Sequence, residues 1–187
     1  MKIGVYVGSF NPVHKGHQII TEELIERKIV DKIIIVPTGN YWDKTNLIDI
    51  KHRIKMLKLI ASKNVIVNEK LNDLSYTYQI LDAINLESGG DEIYFIIGSD
   101  NYQTLKQWKN YKEVISYPML VINRLGSEIT QKINNKVTII NINLDKEYAS
   151  TIIRNKVQNN EKVLDYLDDS VAEYINANNL YKENDYV

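Results

Sequence analysis

The chain has 187 residues, 44% of them hydrophobic, and a formal net charge of -1. That content can bury a core within one domain, and the near-neutral charge carries no polyanion-binding signature, so no nucleic-acid partner is expected. The sequence has no cysteine, which excludes disulfides, thiolate metal sites and a Cys nucleophile. No apolar run approaches a membrane span and the N-terminus lacks a leader pattern, so a soluble cytoplasmic protein without a membrane partner is expected.

The first run, Lys2–Val7, carries Ile3, Val5 and Val7 and predicts a strand. It leads straight into Gly8-Ser9-Phe10-Asn11-Pro12-Val13-His14-Lys15-Gly16-His17, which holds two of the three histidines. Asn11-Pro12 is a turn signal, and a helix is predicted to open near Gly16 and run over Gln18–Ile29. Further buried strands are predicted at Lys32–Val36, Asn64–Val67, Glu92–Ile97, Met119–Ile122 and Val137–Ile142, all rich in β-branched residues. Between them, Ile50–Ile60 and Tyr76–Leu86 space apolar residues three and four apart, with Asp49 and Ser75 as predicted N-caps. The strand–helix alternation predicts a Rossmann-like three-layer α/β domain with a mostly parallel sheet, because parallel strands need crossover helices. Beyond residue 142 the pattern turns helical, at Thr151–Gln158 and Asp169–Asn178. One domain over 1–187 is expected, with an α/β core to 142 and a C-terminal helical portion over 143–187 that packs back over the sheet's ligand edge.

Ligands of such sheets bind beyond the carboxyl ends of the strands, which directs attention to the first connection. No G-x-G-x-x-G is present, and Gly39–Thr45 lacks the second glycine of a phosphate-binding P-loop. His14 and His17, three apart at a helix start, can face one side and donate to phosphate oxygens. As metal ligands they would need a third partner, and His52 lies on another predicted helix; an ordinary satisfied histidine pair also fits the spacing. Later in the chain, Ser150-Thr151-Ile152-Ile153-Arg154 sets hydroxyls at a helix start and a guanidinium one turn on. By itself, that segment equally describes a capped helix with an exposed arginine.

Taken in chain order, these segments resemble the nucleotidyltransferase superfamily marked by H-x-G-H, here His14-Lys15-Gly16-His17. More narrowly, the chain resembles bacterial nicotinate-nucleotide adenylyltransferases. The family pattern G-[GS]-[TS]-F-[DN]-P-[VI]-H-x-G-H is met at Gly8–His17, R-x-x-M-L at Arg53–Leu57, S-Y-T at Ser75–Thr77 and F-I-I-G-x-D at Phe95–Asp100. A tryptophan follows at Trp108, and the closing Y-I…L-Y pattern is met at Tyr174-Ile175 and Leu180-Tyr181. One departure stands out: where the family carries P-P-H-[KR], this chain reads Tyr41-Trp42-Asp43-Lys44, keeping the basic residue but replacing the histidine with an acid.

The resemblance implies transfer of AMP from ATP to nicotinate mononucleotide, with Mg²⁺ accompanying ATP as co-substrate. It implies that Gly8, Ser9, Phe10, His14, Gly16, His17, Gly98, Asp100, Ser150, Thr151 and Arg154 face ATP. His14, His17 and Arg154 are the expected catalytic residues. Lys44, Thr77, Asp100 and Trp108 are expected at the mononucleotide. Alternatives stay open for three of these: Trp108 as a core residue, Thr77 as a simple cap and Asp100 as a turn residue. A different phosphate acceptor, nicotinamide mononucleotide or phosphopantetheine, and a non-enzymatic nucleotide sensor are the competing functions. A homo-oligomer is left open.

Overall fold

In the computed structural model, which describes residues 1–39, 47–123, 128–144 and 147–182, the apolar runs form one six-stranded sheet. The strands are β1 (Lys2–Gly8), β2 (Lys32–Pro37), β3 (Val65–Val67), β4 (Glu92–Gly98), β5 (Met119–Asn123) and β6 (Val137–Asn141). Their order is β3-β2-β1-β4-β5-β6, and every pairing is parallel. The sheet expected to be mostly parallel is therefore parallel throughout among the described residues.

Seven helices join or follow the described strands: α1 (Lys15–Glu26), α2 (Ile50–Leu59), α3 (Thr77–Glu87), α4 (Ser99–Thr104), α5 (Tyr111–Val114), α6 (Ser150–Gln158) and α7 (Asp169–Ala177). The strands are apolar on both faces because both are covered. Tyr6, Ile33, Ile35, Ile96 and Leu120 point to one layer, where Leu24 of α1, Leu57 of α2, Ile153 of α6 and Val171 of α7 meet them. Val5, Phe95, Ile97 and Val121 point to the other, against Leu81 of α3, Tyr102 of α4 and Val114 of α5. Each fully buried Leu or Ile contributes about 1.5–3 kcal/mol relative to exposure. The last two helices thus share the first layer's core, and His52 Nδ1 lies 2.9 Å from the Tyr174 hydroxyl where α2 meets α7.

Three helix starts differ from the sequence expectation. The first helix begins at Lys15, one residue before the opening expected near Gly16, because His14 acts as its N-cap. It stops at Glu26, where Lys28 turns into the left-handed region at φ 54°. The cap of α3 is Tyr76 rather than Ser75, with the Gln79 side chain accepting from the Tyr76 N–H at 3.1 Å. α6 starts at Ser150, one residue early, with Ala149 as its cap. Asp49 does cap α2, accepting from the Lys51 N–H at 2.8 Å. The short helices α4 and α5 escaped the periodicity because neither is long enough to show a repeat.

The strand order sets the ligand edge. β1 pairs with β2 on one side and β4 on the other, so the chain winds away from β1 in both directions. The crevice lies where the carboxyl ends of β1 and β4 part, beyond Gly8 and Gly98.

Candidate active site

The β1–α1 connection is held by its own side chains before any ligand is considered. Phe10 sits at φ 47°, a left-handed conformation that costs a bulky residue roughly 1–2 kcal/mol. Its ring offsets that cost by burial, edge-on to Tyr6 at 5.4 Å and to His17 at 4.9 Å. Gly8 follows from the same packing, since a Cβ there would lie 3.2 Å from the Phe10 ring. The Phe10 ring therefore supports His17, and Gly8 makes room for Phe10.

His14 and His17 are 4% and 8% exposed, and their rings stack with centroids 3.6 Å apart and planes 21° apart. The spacing of three has a local cause: as N-cap and N3 of α1, they are placed like a capping box, with His17 Nδ1 accepting the His14 N–H at 3.2 Å. A nitrogen that accepts from the backbone is unprotonated, which assigns the ring proton to Nε2 as a donor. Most of the amides at this helix start have protein acceptors. The Lys15 N–H donates to the Tyr166 carbonyl at 2.8 Å, and those of His17 and Gln18 donate to the His14 carbonyl. Of the amides that open this helix, those of Lys15, His17 and Gln18 are thus taken by the protein.

The start of α6 is brought against this connection from 138 residues away. The Ser150 hydroxyl donates to the Pro12 carbonyl at 2.9 Å, so it serves the neighbouring loop rather than its own helix. Arg154 donates from Nη1 to the Asn11 carbonyl at 2.8 Å and from Nη2 to the Thr151 hydroxyl at 3.2 Å. The two fixed contacts orient the guanidinium plane against the β1–α1 connection. Ala149 offers no side-chain acceptor, so the first turn of α6 carries no side-chain cap.

Arg53 is the residue whose role the sequence left unread. It is 0% exposed, and its guanidinium donates to three carbonyls: Ser9 at 2.7 Å, Thr38 at 2.7 Å and Ile48 at 3.2 Å. It ties the end of β1 to the end of β2 and to the approach to α2. Its only signal was the R-x-x-M-L segment, which states that an arginine recurs but not what it holds. A second anchor joins the C-terminal helices to α1. Asp168 caps α7, and its carboxyl is held below the usual carboxylate range, first by the Ser170 hydroxyl and then with help from Gln18 and Lys15 of α1.

Thr77 and Asp100 fall on the same edge by topology, since helices in parallel units begin at the carboxyl ends of strands. Thr77 is the first residue of α3, and Asp100 is exposed in the first turn of α4, just past Gly98 and Ser99. Trp108 is half-buried and packs its ring near Phe95, 6.4 Å between centroids and 59° between planes, on the second core layer. Lys44 and Asp43 lie outside the described residues.

The comparisons with known proteins bear on this arrangement. A family model described as Cytidylyltransferase-like matches residues 5–156, which take in both the β1–α1 connection and α6 as far as Arg154. A probable nicotinate-nucleotide adenylyltransferase of Fusobacterium nucleatum is 36% identical over 94% of this chain and 97% of its own length. This chain belongs to the nicotinate-nucleotide adenylyltransferase family. The same family name is borne by a relative in Acholeplasma laidlawii, 35% identical over 96% of this chain and 97% of its own. Among solved structures, Plasmodium falciparum nicotinic acid mononucleotide adenylyltransferase complexed with NaAD superposes with a TM-score of 0.81. It is 23% identical and covers 96% of this chain and 97% of its own, so the fold of the adenylyltransferase family is shared well beyond sequence similarity. As a member of that family the chain is a nucleotidyltransferase.

Proposed function

We propose that the protein transfers AMP from ATP to nicotinate mononucleotide, releasing pyrophosphate and forming nicotinate adenine dinucleotide. The observation that carries this reading is the joining of the loop that leads into the histidine pair to α6, through Ser150 to Pro12 and Arg154 to Asn11, at the crevice where the strand order reverses. The acceptor phosphate is already an oxyanion near neutral pH, so the site needs no protein nucleophile. One of its oxygens bonds to the α-phosphorus as the bond from that phosphorus to the bridging oxygen of pyrophosphate breaks. The enzyme's part is alignment and charge stabilisation. His17 Nε2–H and the His14 ring edge face the phosphates from α1; the Arg154 guanidinium and the uncapped amides of α6 face them from the other side.

Mg²⁺ enters this proposal as a companion of ATP. Among the described residues no group of three or more His, Cys, Asp or Glu side chains is placed to hold a metal ion, so they build no protein cage for it. The ion would ride on the nucleotide's own oxygens, and no step here runs through it. Asp100 is suited to ribose hydroxyls, and the α3 start at Thr77, with Trp108, to the nicotinate ring and its carboxylate. A cytoplasmic setting fits a cysteine-free biosynthetic enzyme; among the described residues no helix is long and apolar enough to cross a membrane.

Pyrophosphate release with ATP and each candidate acceptor tests the reading. Nicotinate mononucleotide should be preferred over nicotinamide mononucleotide by at least about tenfold in kcat/KM, which roughly 1.4 kcal/mol supplies. An amide would present its NH₂ to helix-start donors and leave groups unpaired. Equal use of both, turnover of phosphopantetheine, or nucleotide binding without pyrophosphate release would each overturn it.

A further inference from the structure

Tyr148 lies two residues before α6 and has no part in the reading above. It is buried, at 8% exposure, yet belongs to neither of the hydrophobic clusters that flank the sheet. Its company is the rings of the site. The Tyr148 ring is nearly parallel to that of His14, with 22° between planes and 6.1 Å between centroids, an offset-stacked arrangement. His17 covers His14 at 3.6 Å, also nearly parallel, so both neighbouring rings are aligned with the His14 plane.

The tyrosine is itself held in place. Tyr166 meets it edge-on at 6.1 Å and 75°, and the Tyr166 carbonyl accepts the first amide of α1. Lys15 fastens the same segment a second time, its Nζ donating to the Leu164 carbonyl at 2.6 Å. Gly16 closes the arrangement: a Cβ there would stand 2.6 Å from Tyr148 Cβ and 2.9 Å from Cγ. The tyrosine packs against the bare backbone of α1 and has no room to move toward it.

We propose that Tyr148 is a positioning residue for adenylyl transfer, acting through His14. As an N-cap, His14 stands at a helix edge where rotation about its side-chain bonds would sweep the ring nitrogen across the phosphates. A displacement of about 1 Å in a reacting arrangement can cost 10²-fold in rate. The stacked tyrosine fixes the imidazole plane and leaves only the ring edge toward the crevice. An aliphatic side chain would fill the volume and supply no plane.

The consequence for turnover rests on the proposed adenylyl transfer, whereas the stacking does not, so the experiment reads both. Tyr148→Leu, Tyr148→Met and Tyr148→Phe are made in the full chain and checked by thermal melts. NMR of the His14 ring protons, read without substrate, should show the ring-current shift lost in the Leu and Met variants and kept in Phe. With ATP and nicotinate mononucleotide, the aliphatic variants should lose about tenfold or more in kcat with little change in either KM, and Phe should restore the rate. In a His14→Ala background, Tyr148→Leu should have almost no further effect on kcat, since two residues acting through one group are not additive. A folded aliphatic variant with unchanged His14 resonances overturns the proposal, as does an additive loss in the double variant. If both aliphatic variants fail to fold while Phe folds, the ring is a core element and the proposal also falls. Should the parent show no adenylyl transfer while the resonances shift as described, the functional reading fails and the positioning of His14 stands.

Discussion

The first turn of α1 is closed by the protein, whereas the first turn of α6 has no side-chain cap, although both helices begin at the same edge of the sheet. At α1 the His14 N–H goes to His17 Nδ1, the Lys15 N–H to the Tyr166 carbonyl, and the His17 and Gln18 amides to the His14 carbonyl. At α6 the cap is Ala149, the Ser150 hydroxyl turns away to Pro12, and the Thr151 hydroxyl accepts from Arg154. A helix N-terminus attracts anions through its unsatisfied amides, so satisfying them internally removes most of that attraction. In the proposed reaction the two starts would therefore meet a triphosphate by different means: α1 with two imidazole edges, α6 with backbone amides and a guanidinium.

The largest expected effect separates the two tasks of His17. In His17→Gln the side chain can still accept the His14 N–H, as glutamine does in a capping box, but the Nε2 donor is gone. We expect kcat/KM to fall by roughly 10²–10³, the scale of losing one preorganised donor, with the melting temperature nearly unchanged. His17→Ala should lose the same activity and in addition about 1 kcal/mol of stability from the cap. Parental kinetics in the Gln variant would mean that α1 does not act through this side chain.

Arg53 holds the end of β1, from which the loop into α1 departs. Arg53→Met fills most of the volume and strips three buried carbonyls of a donor, which should cost about 3 kcal/mol. For a chain of this size that is a melting-temperature drop of about 6–12 °C. A thermal melt within 2 °C or so of the parent would show that the carbonyls find other donors.

Ala149→Asp converts the start of α6 into one like α1. A carboxylate at the N-cap should accept from the first-turn amides and stabilise the protein by about 1 kcal/mol. The same charge stands where phosphate is expected, so KM for ATP should rise about tenfold. A stabilised variant with unchanged ATP dependence would show that α6 does not face the nucleotide.

The smallest effect concerns α7, whose cap is a protein side chain. Asp168 has a carboxyl pKa lowered in the fold, by the Ser170 hydroxyl first. Its stabilising contribution is therefore complete above the unfolded carboxyl pKa of about 3.9 and is lost as pH falls through the lower folded value. Asn keeps a cap acceptor but not the charge, so Asp168→Asn should cost about 0.3–1 kcal/mol near neutrality, a difference that shrinks below about pH 4. Chemical denaturation at pH 7 and pH 3 checks it; an equal difference at both would remove the charge from the explanation.

Much of this was legible in the chain itself. The strands announced themselves because burial on both faces demands unbroken apolar runs, and the first connection because two histidines and two glycines fell directly after a strand. The histidine spacing was readable as a shared helix face, but its capping geometry was not, since imidazole is an uncommon cap. The hydroxyl of Ser150 reads as a cap by composition, and only the approach of Pro12 explains why it turns elsewhere.

By itself the sequence determined what neighbours along the chain decide: strand period, helix phase, the three-residue reach from His14 to His17, and the cap at Asp49. The tertiary structure alone decided which distant groups meet. Arg53 finds its carbonyls 44, 15 and 5 residues away, and Arg154 finds Asn11 across 143. Tyr148 reaches His14 only because Gly16 lets it close against α1. Propensity and periodicity act over a few residues, whereas these contacts exist only after the sheet has fixed the loop ends in space, and no local pattern encodes the partner of a side chain that must wait for that.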